Sequence, residues 1–130
     1  MMRIGLLGCG NIGHIIAEHA SGFTITAVFD EVYERAEAVG ALSGAKPHRN
    51  FASFIQADFD IVVEAASVIA ARTYAIEVIS HKKDIVIMSV GALADAAFLE
   101  QIRRSALESG RKVHIPSGAI FGLDNLKIGK

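Results

Sequence analysis

Apolar and polar positions along this chain fall into blocks with two different periods. Five short runs are mostly apolar: Arg3–Leu7, Thr24–Phe29, Asp60–Ala65, Asp84–Ser89 and Lys112–Ile115. Between them lie stretches with apolar residues at helical spacing: Asn11–Ala20, Glu31–Val39, Val68–Ser80 and Asp95–Ser109, with a short helical turn around Phe51–Gln56. Near-continuous apolar strands have both faces covered, as in a parallel sheet. Strands alternating with helices specify βαβ units, whose crossovers are right-handed. The expectation is an α/β fold with a doubly wound parallel sheet of about five to six strands. Gly22, Gly40, Gly44 and Gly110 follow the expected helices at positions suited to C-caps. The segment Gly40–Asn50, with two glycines and Pro47, reads as a loop.

Composition narrows the class. A length of 130 residues suits one domain, and 52% apolar residues supply a core with a surplus for an apolar surface facing another domain or subunit. No apolar run reaches the length of a membrane span. The opening MMRIGLLGCGNIG is broken by glycines and does not read as a signal peptide. A formal charge of −1 creates no field for nucleic acid or anionic lipid. The single Cys9 excludes an internal disulfide and a multi-cysteine zinc site. The expectations are a cytoplasmic, reducing location, no membrane and no nucleic-acid partner. The five histidines do not group into a metal site: His14 and His19 diverge by about 140° on a helix, and the others lie in separate elements.

The strongest chemical signal is G-C-G-N-I-G at Gly8–Gly13, directly after a strand and opening a helix. Gly8 suits the tight turn, Gly10 a close approach of backbone to a pyrophosphate, and Gly13 close packing of helix on strand. The helix N-terminus then offers free N–H groups to the phosphates. Asp30 ends the second strand, 22 residues past Gly8, where a carboxylate accepts hydrogen bonds from ribose hydroxyls. Together these specify a Rossmann-type dinucleotide site. Asp30 with Glu31 favours NAD over NADP, since two carboxylates repel a 2′-phosphate; Arg35, one helical turn on, leaves NADP as a tolerated alternative. Ligands lie beyond the carboxyl ends of parallel strands. The small residues Ala65, Ala66 and Ser67, and Ser89 and Gly91, are therefore candidate contacts for the nicotinamide ribose, with their serine hydroxyls as donors. Glu64 reads as hydrogen-bonded structure more than as a catalytic acid. Cys9, though beside a helix N-terminus, occupies a variable position of the loop.

Taken in order, this glycine loop, Asp30, E-A-A-S at Glu64–Ser67, S-V-G-A at Ser89–Ala92 and P-S-G-A-I-F-G-L-D at Pro116–Asp124 resemble the L-aspartate dehydrogenase family. The resemblance implies NAD(P)-dependent interconversion of L-aspartate and iminoaspartate, a precursor in NAD biosynthesis. It also implies cofactor contact by Asn11, Ile12, Ala65, Ala66, Ser67, Ser89 and Ala119. Phe121 is bulkier than the small residue expected at its position. Family members continue into a second domain that carries the catalytic histidine and most of the substrate pocket. The expected organisation is a dinucleotide-binding domain at 1–117 and the start of a linker into a catalytic domain at 118–130, with no catalytic residue in the chain itself. The whole enzyme is expected to be a homo-oligomer acting on L-aspartate. Alternatives are the cofactor domain of a dihydrodipicolinate reductase or homoserine dehydrogenase type, or a non-catalytic NAD(H)-sensing module.

Overall fold

The computed structural model describes residues 1–117 and 120–121. The elements are β1 (Met2–Leu7), α1 (Asn11–Glu18), β2 (Phe23–Phe29), α2 (Tyr33–Ser43), β3 (Lys46–His48), α3 (Phe51–Ile55), β4 (Ile61–Glu64), α4 (Val68–Ser80), β5 (Asp84–Ile87), α5 (Ala96–Ser109), β6 (Val113–His114) and β7 (Ile120–Phe121), with a 3₁₀ turn at Val90–Ala94. They form one sheet in the order β3-β2-β1-β4-β5-β6-β7. β1 to β6 run parallel, and β7 pairs antiparallel with β6. The chain starts in the middle, winds outward to β3, then crosses over β1 to β4 and winds the other way. That reversal between β1 and β4 is the topological switch point of a Rossmann fold.

Adjacent strand residues feed opposite cores. Leu7, Ala27, Phe29, Val62 and Ile85 pack under α3, α4 and α5, whereas Leu6, Ile25 and Val28 pack under α1 and α2. Ile25 and Ala27 would share a face in a regular strand. A shift in the β1–β2 register between Ile4 and Gly5 leaves Thr26 as an extra residue, and this bulge sends the two side chains to opposite sides. The Thr26 hydroxyl donates to the Asp58 carbonyl at 2.9 Å.

The segment Gly40–Asn50 departs from the expected loop. α2 continues to Ser43 and stops at Gly44, which adopts a left-handed conformation (φ 81°); Gly40 lies inside the helix, where a Cβ would sit 2.8 Å from the Ala45 carbonyl oxygen. Lys46–His48 then forms an edge strand on β2. Pro47 lacks the N–H for a two-sided ladder but is accommodated at an edge. His48 links this strand to α3 through a 2.7 Å hydrogen bond between Nδ1 and the Ser53 hydroxyl. The first helix also ends earlier than expected, with His19 rather than Gly22 at its C-cap. Gly110 caps α5 as expected, with φ 66°. The helix at Val68–Ser80 matches its expected bounds.

Gly5 on the central strand shows how tightly the larger core is filled. A Cβ there would lie 2.6–2.8 Å from the ring of Phe59. That ring cannot retreat easily, because Phe54 packs at 5.1 Å between centroids and the Lys83 ammonium sits 3.6 Å from the ring centroid. Gly5→Ala is therefore expected to destabilise the domain by about 1–3 kcal/mol in urea denaturation, the usual cost of overpacking. Adding Phe59→Leu is expected to cost less than the sum of the two single changes, because the smaller side chain vacates the contested space.

Candidate functional site

The glycine turn is shaped by contacts that leave no room for side chains. Gly8 has φ +107°, and a Cβ on it would lie 2.7 Å from the backbone of Ala65 and Ala66. Its N–H donates to the Phe29 carbonyl at 2.8 Å, so the turn is anchored to β2 as well as to β4. A Cβ on Gly13 would overlap the Gly8 carbonyl. Gly10 differs: nothing lies within 4 Å of the place its Cβ would occupy. Two glycines are thus required by the protein's own packing, while the third keeps open space above the helix. α1 begins at that space with no side-chain cap. By contrast Asn50, Ser67 and Asp95 each accept a backbone N–H at the start of α3, α4 and α5. The first N–H groups of α1 remain available to an anion.

A cavity of about 510 Å³ opens over this turn, within the usual range for small-molecule sites. Its walls bring together Gly8, Gly10, Asn11, Ile12, Asp30, Ala65, Ala66 and Ser67, all singled out in the sequence. Glu31 and Arg35 line the same cavity. Leu7, Phe29, Ile69, Ala70 and Tyr74 also line it and were missed. A signal existed for two of them: Ala70 and Tyr74 are four apart on α4 and share a face. Burial, with Glu31 and Glu77 nearby, pushes the Tyr74 phenol above its ordinary range, so it stays a neutral hydroxyl.

Asp30 does more than wait for a ligand. Its Oδ2 accepts the Cys9 N–H at 2.8 Å, and its Oδ1 accepts the Val32 N–H at 2.8 Å. The carboxylate thereby pins the glycine turn to the end of β2, retaining lone pairs toward the cavity.

The remaining candidates lie elsewhere. Gly13 sits beneath the turn as a packing residue. Ser89 and Gly91 are not among the cavity's lining residues. The Ser89 hydroxyl donates to Glu64 Oε2 at 2.8 Å, and a Cβ on Gly91 would meet Val68 at 3.1 Å. The Ser67 hydroxyl accepts the Ala70 N–H at 3.0 Å, leaving its proton free to donate. Ala119 falls outside the described residues. Arg72 pairs with Asp95 at 2.8 Å. Cys9 is buried, and burial together with the Asp30 charge pushes its thiol up to about 12, so it is no nucleophile near neutral pH.

Three comparisons bear on this geometry. The family model described as "Homoserine dehydrogenase, NAD binding domain" matches residues 8–116. The L-aspartate dehydrogenase of Methanospirillum hungatei JF-1 is 53% identical over 129 residues, covering 99% of this chain and 51% of that protein. That of Methanocaldococcus jannaschii is 40% identical over 132 residues, covering 98% and 49%. The chain therefore spans about half the length of the relatives it matches. Among solved structures, the WlbA dehydrogenase from Bordetella pertussis, in complex with NADH and UDP-GlcNAcA, superposes with a TM-score of 0.76 at 23% identity, covering 88% of this chain and 36% of that one. The ketoreductase KijD10 from Actinomadura kijaniata, in complex with NADP, gives 0.76 at 17%, covering 88% and 37%. At such identities these two show the fold alone. With the sequence match running from Gly8 through the end of β6, the chain belongs to the NAD-binding domain family of the homoserine dehydrogenase type.

Proposed function

We propose that this chain is the cofactor-binding half of an NAD-dependent L-aspartate dehydrogenase. The observation that carries the reading is the open space above Gly10 at the uncapped start of α1, continuous with Asp30 in one cavity. The likeness to L-aspartate dehydrogenases across nearly the whole chain supports the substrate. In this reading the N–H groups of Asn11 and Ile12 take the pyrophosphate, Asp30 takes the adenosine ribose, and Ala65–Ser67 lie under the nicotinamide end. The bound nicotinamide would supply hydride transfer; the chain orients it and shields it from water. A 2′-phosphate would meet Asp30 and Glu31, which favours NAD, while Arg35 is the group through which NADP would be accommodated.

The cavity is unsuited to the dicarboxylate itself. Asp30 and Glu31 outnumber the single cation Arg35 along its walls, and Arg72 is engaged elsewhere. The substrate clamp and the proton-transferring group are therefore assigned to the remainder of the whole protein. Exposed Ile12, Val68, Ile69 and Val90 cluster around the strand ends and support a reading in which that remainder covers this edge. We read the whole protein as a cytoplasmic homo-oligomer, on the strength of the apolar surplus and lone cysteine of this chain. The family description favours a second reading, a homoserine dehydrogenase-type cofactor half, which the substrate assay below separates.

Gly10→Val is expected to leave the melting temperature nearly unchanged, because its side chain enters empty space. It should weaken NADH binding at least about tenfold by titration calorimetry, equivalent to roughly 1.4 kcal/mol; equal affinity would sink the cradle assignment. Asp30→Ser is expected to lower the NADH:NADPH affinity ratio by about 5- to 150-fold, corresponding to roughly 1–3 kcal/mol. It should also cost NADH affinity outright, since Cys9 and Val32 lose their acceptor; an unchanged ratio would mean another residue reads the ribose. The substrate assignment is tested by NADH formation from L-aspartate or L-homoserine at alkaline pH. The chain alone is expected to be inactive, and its fusion after Lys130 to the second domain of an L-aspartate dehydrogenase is expected to oxidise only aspartate. Turnover by the chain alone would show that the substrate site is misplaced.

A further inference from the structure

The most constrained charged group in the described structure is Glu64, the last residue of β4. It is fully buried and accepts hydrogen bonds from Ala66 N–H at 2.8 Å, Ser67 N–H at 3.1 Å, Ser89 N–H at 2.9 Å and the Ser89 hydroxyl at 2.8 Å. Three of those partners are backbone N–H groups, which can only donate. They hold Glu64 as an acceptor, that is, as the carboxylate. The ion pairs found among the described residues do not include it. A buried charge without a counter-charge is costly, and peptide dipoles steady it without cancelling it. Both oxygens accept backbone N–H groups, so a neutral amide in its place would leave one of them unpaired, and the charge fixed here is available for a further use.

Its position suggests that use. Ala66 and Ser67, whose N–H groups bond Glu64, are themselves walls of the cavity, so the charge lies directly behind the wall. β4 stands across the switch point from β2. If Asp30 and Glu31 hold the adenosine end on the β2 side, the other end of a dinucleotide must extend toward β4 and β5. We propose that Glu64 biases the site toward the oxidised cofactor. Its buried carboxylate attracts the cationic nicotinamide ring of NAD⁺ and offers nothing comparable to the neutral ring of NADH. The attraction passes through protein rather than water and is therefore weakly screened. Glu64 acts as a positioning and electrostatic residue that does not touch the reacting atoms. This inference rests on the cofactor reading of the cavity.

The test is calorimetric titration of the 130-residue chain and its Glu64→Gln variant with ADP-ribose, NAD⁺ and NADH. ADP-ribose carries the cradle-binding part and no nicotinamide. Because NAD⁺ and NADH share the cradle-binding part, the variant's NAD⁺:NADH affinity ratio is expected to fall about three- to tenfold whatever its ADP-ribose affinity, a loss of one Coulomb attraction. A ratio equal to the parent's, with all three ligands weakened together, would overturn the inference and leave Glu64 as a clasp alone. Should the variant fail to melt cooperatively, the parent chain decides: NAD⁺ is expected to bind at least as tightly as NADH, and clearly tighter NADH binding overturns the inference. If the parent fails to bind ADP-ribose, the cavity reading itself falls, and this inference with it.

Discussion

Three backbone segments meet at the end of β1 with no space for a side chain between them. The turn at Gly8 lies against Ala65 and Ala66, and α1 lies so close to the same turn that a Cβ on Gly13 would overlap the Gly8 carbonyl. Everything of functional interest depends on this approach. It aims the N-terminus of α1 over the strand ends, and it sets β4's outgoing loop as the opposite wall of the cavity. A methyl group at either glycine would separate these segments, whereas one at Gly10 would only intrude on the ligand's space.

Two carboxylates then fix the loops that the close approach brings together. Asp30 joins the glycine turn to the start of the connection after β2. Glu64 joins the start of α4 to Ser89, two residues past β5. Each uses charge-assisted bonds to backbone N–H groups, stronger than bonds between neutral groups. The cavity edge is therefore organised before a ligand arrives, which reduces the ordering cost of binding.

Much of this was legible from residue order because the determinants are local. The glycine loop and Asp30 lie within one βαβ unit, and the helix at Val68–Ser80 shows in its own apolar spacing, with Ser67 found to cap it. β3 was not legible: Lys46-Pro47-His48 has no β-branched residue and contains a proline, so only pairing with β2 makes it a strand. Nor was the role of Ser89, because its partner Glu64 is 25 residues away and the contact exists only once β4 and β5 are side by side. Ile69 joins the cavity through the placement of α4, a tertiary fact that helical periodicity does not encode.

The short third strand has a consequence for how the molecule behaves in company. It ends the sheet on that side with three residues; Lys46 is exposed, and Pro47 contributes no donor. A parallel sheet this apolar would otherwise present an open row of amides to the next chain, the template from which strand-by-strand aggregates grow. Brevity, a charge and a missing N–H blunt that template. The residues that disguise β3 as a loop are thus the ones that keep the sheet from being extended by its neighbours.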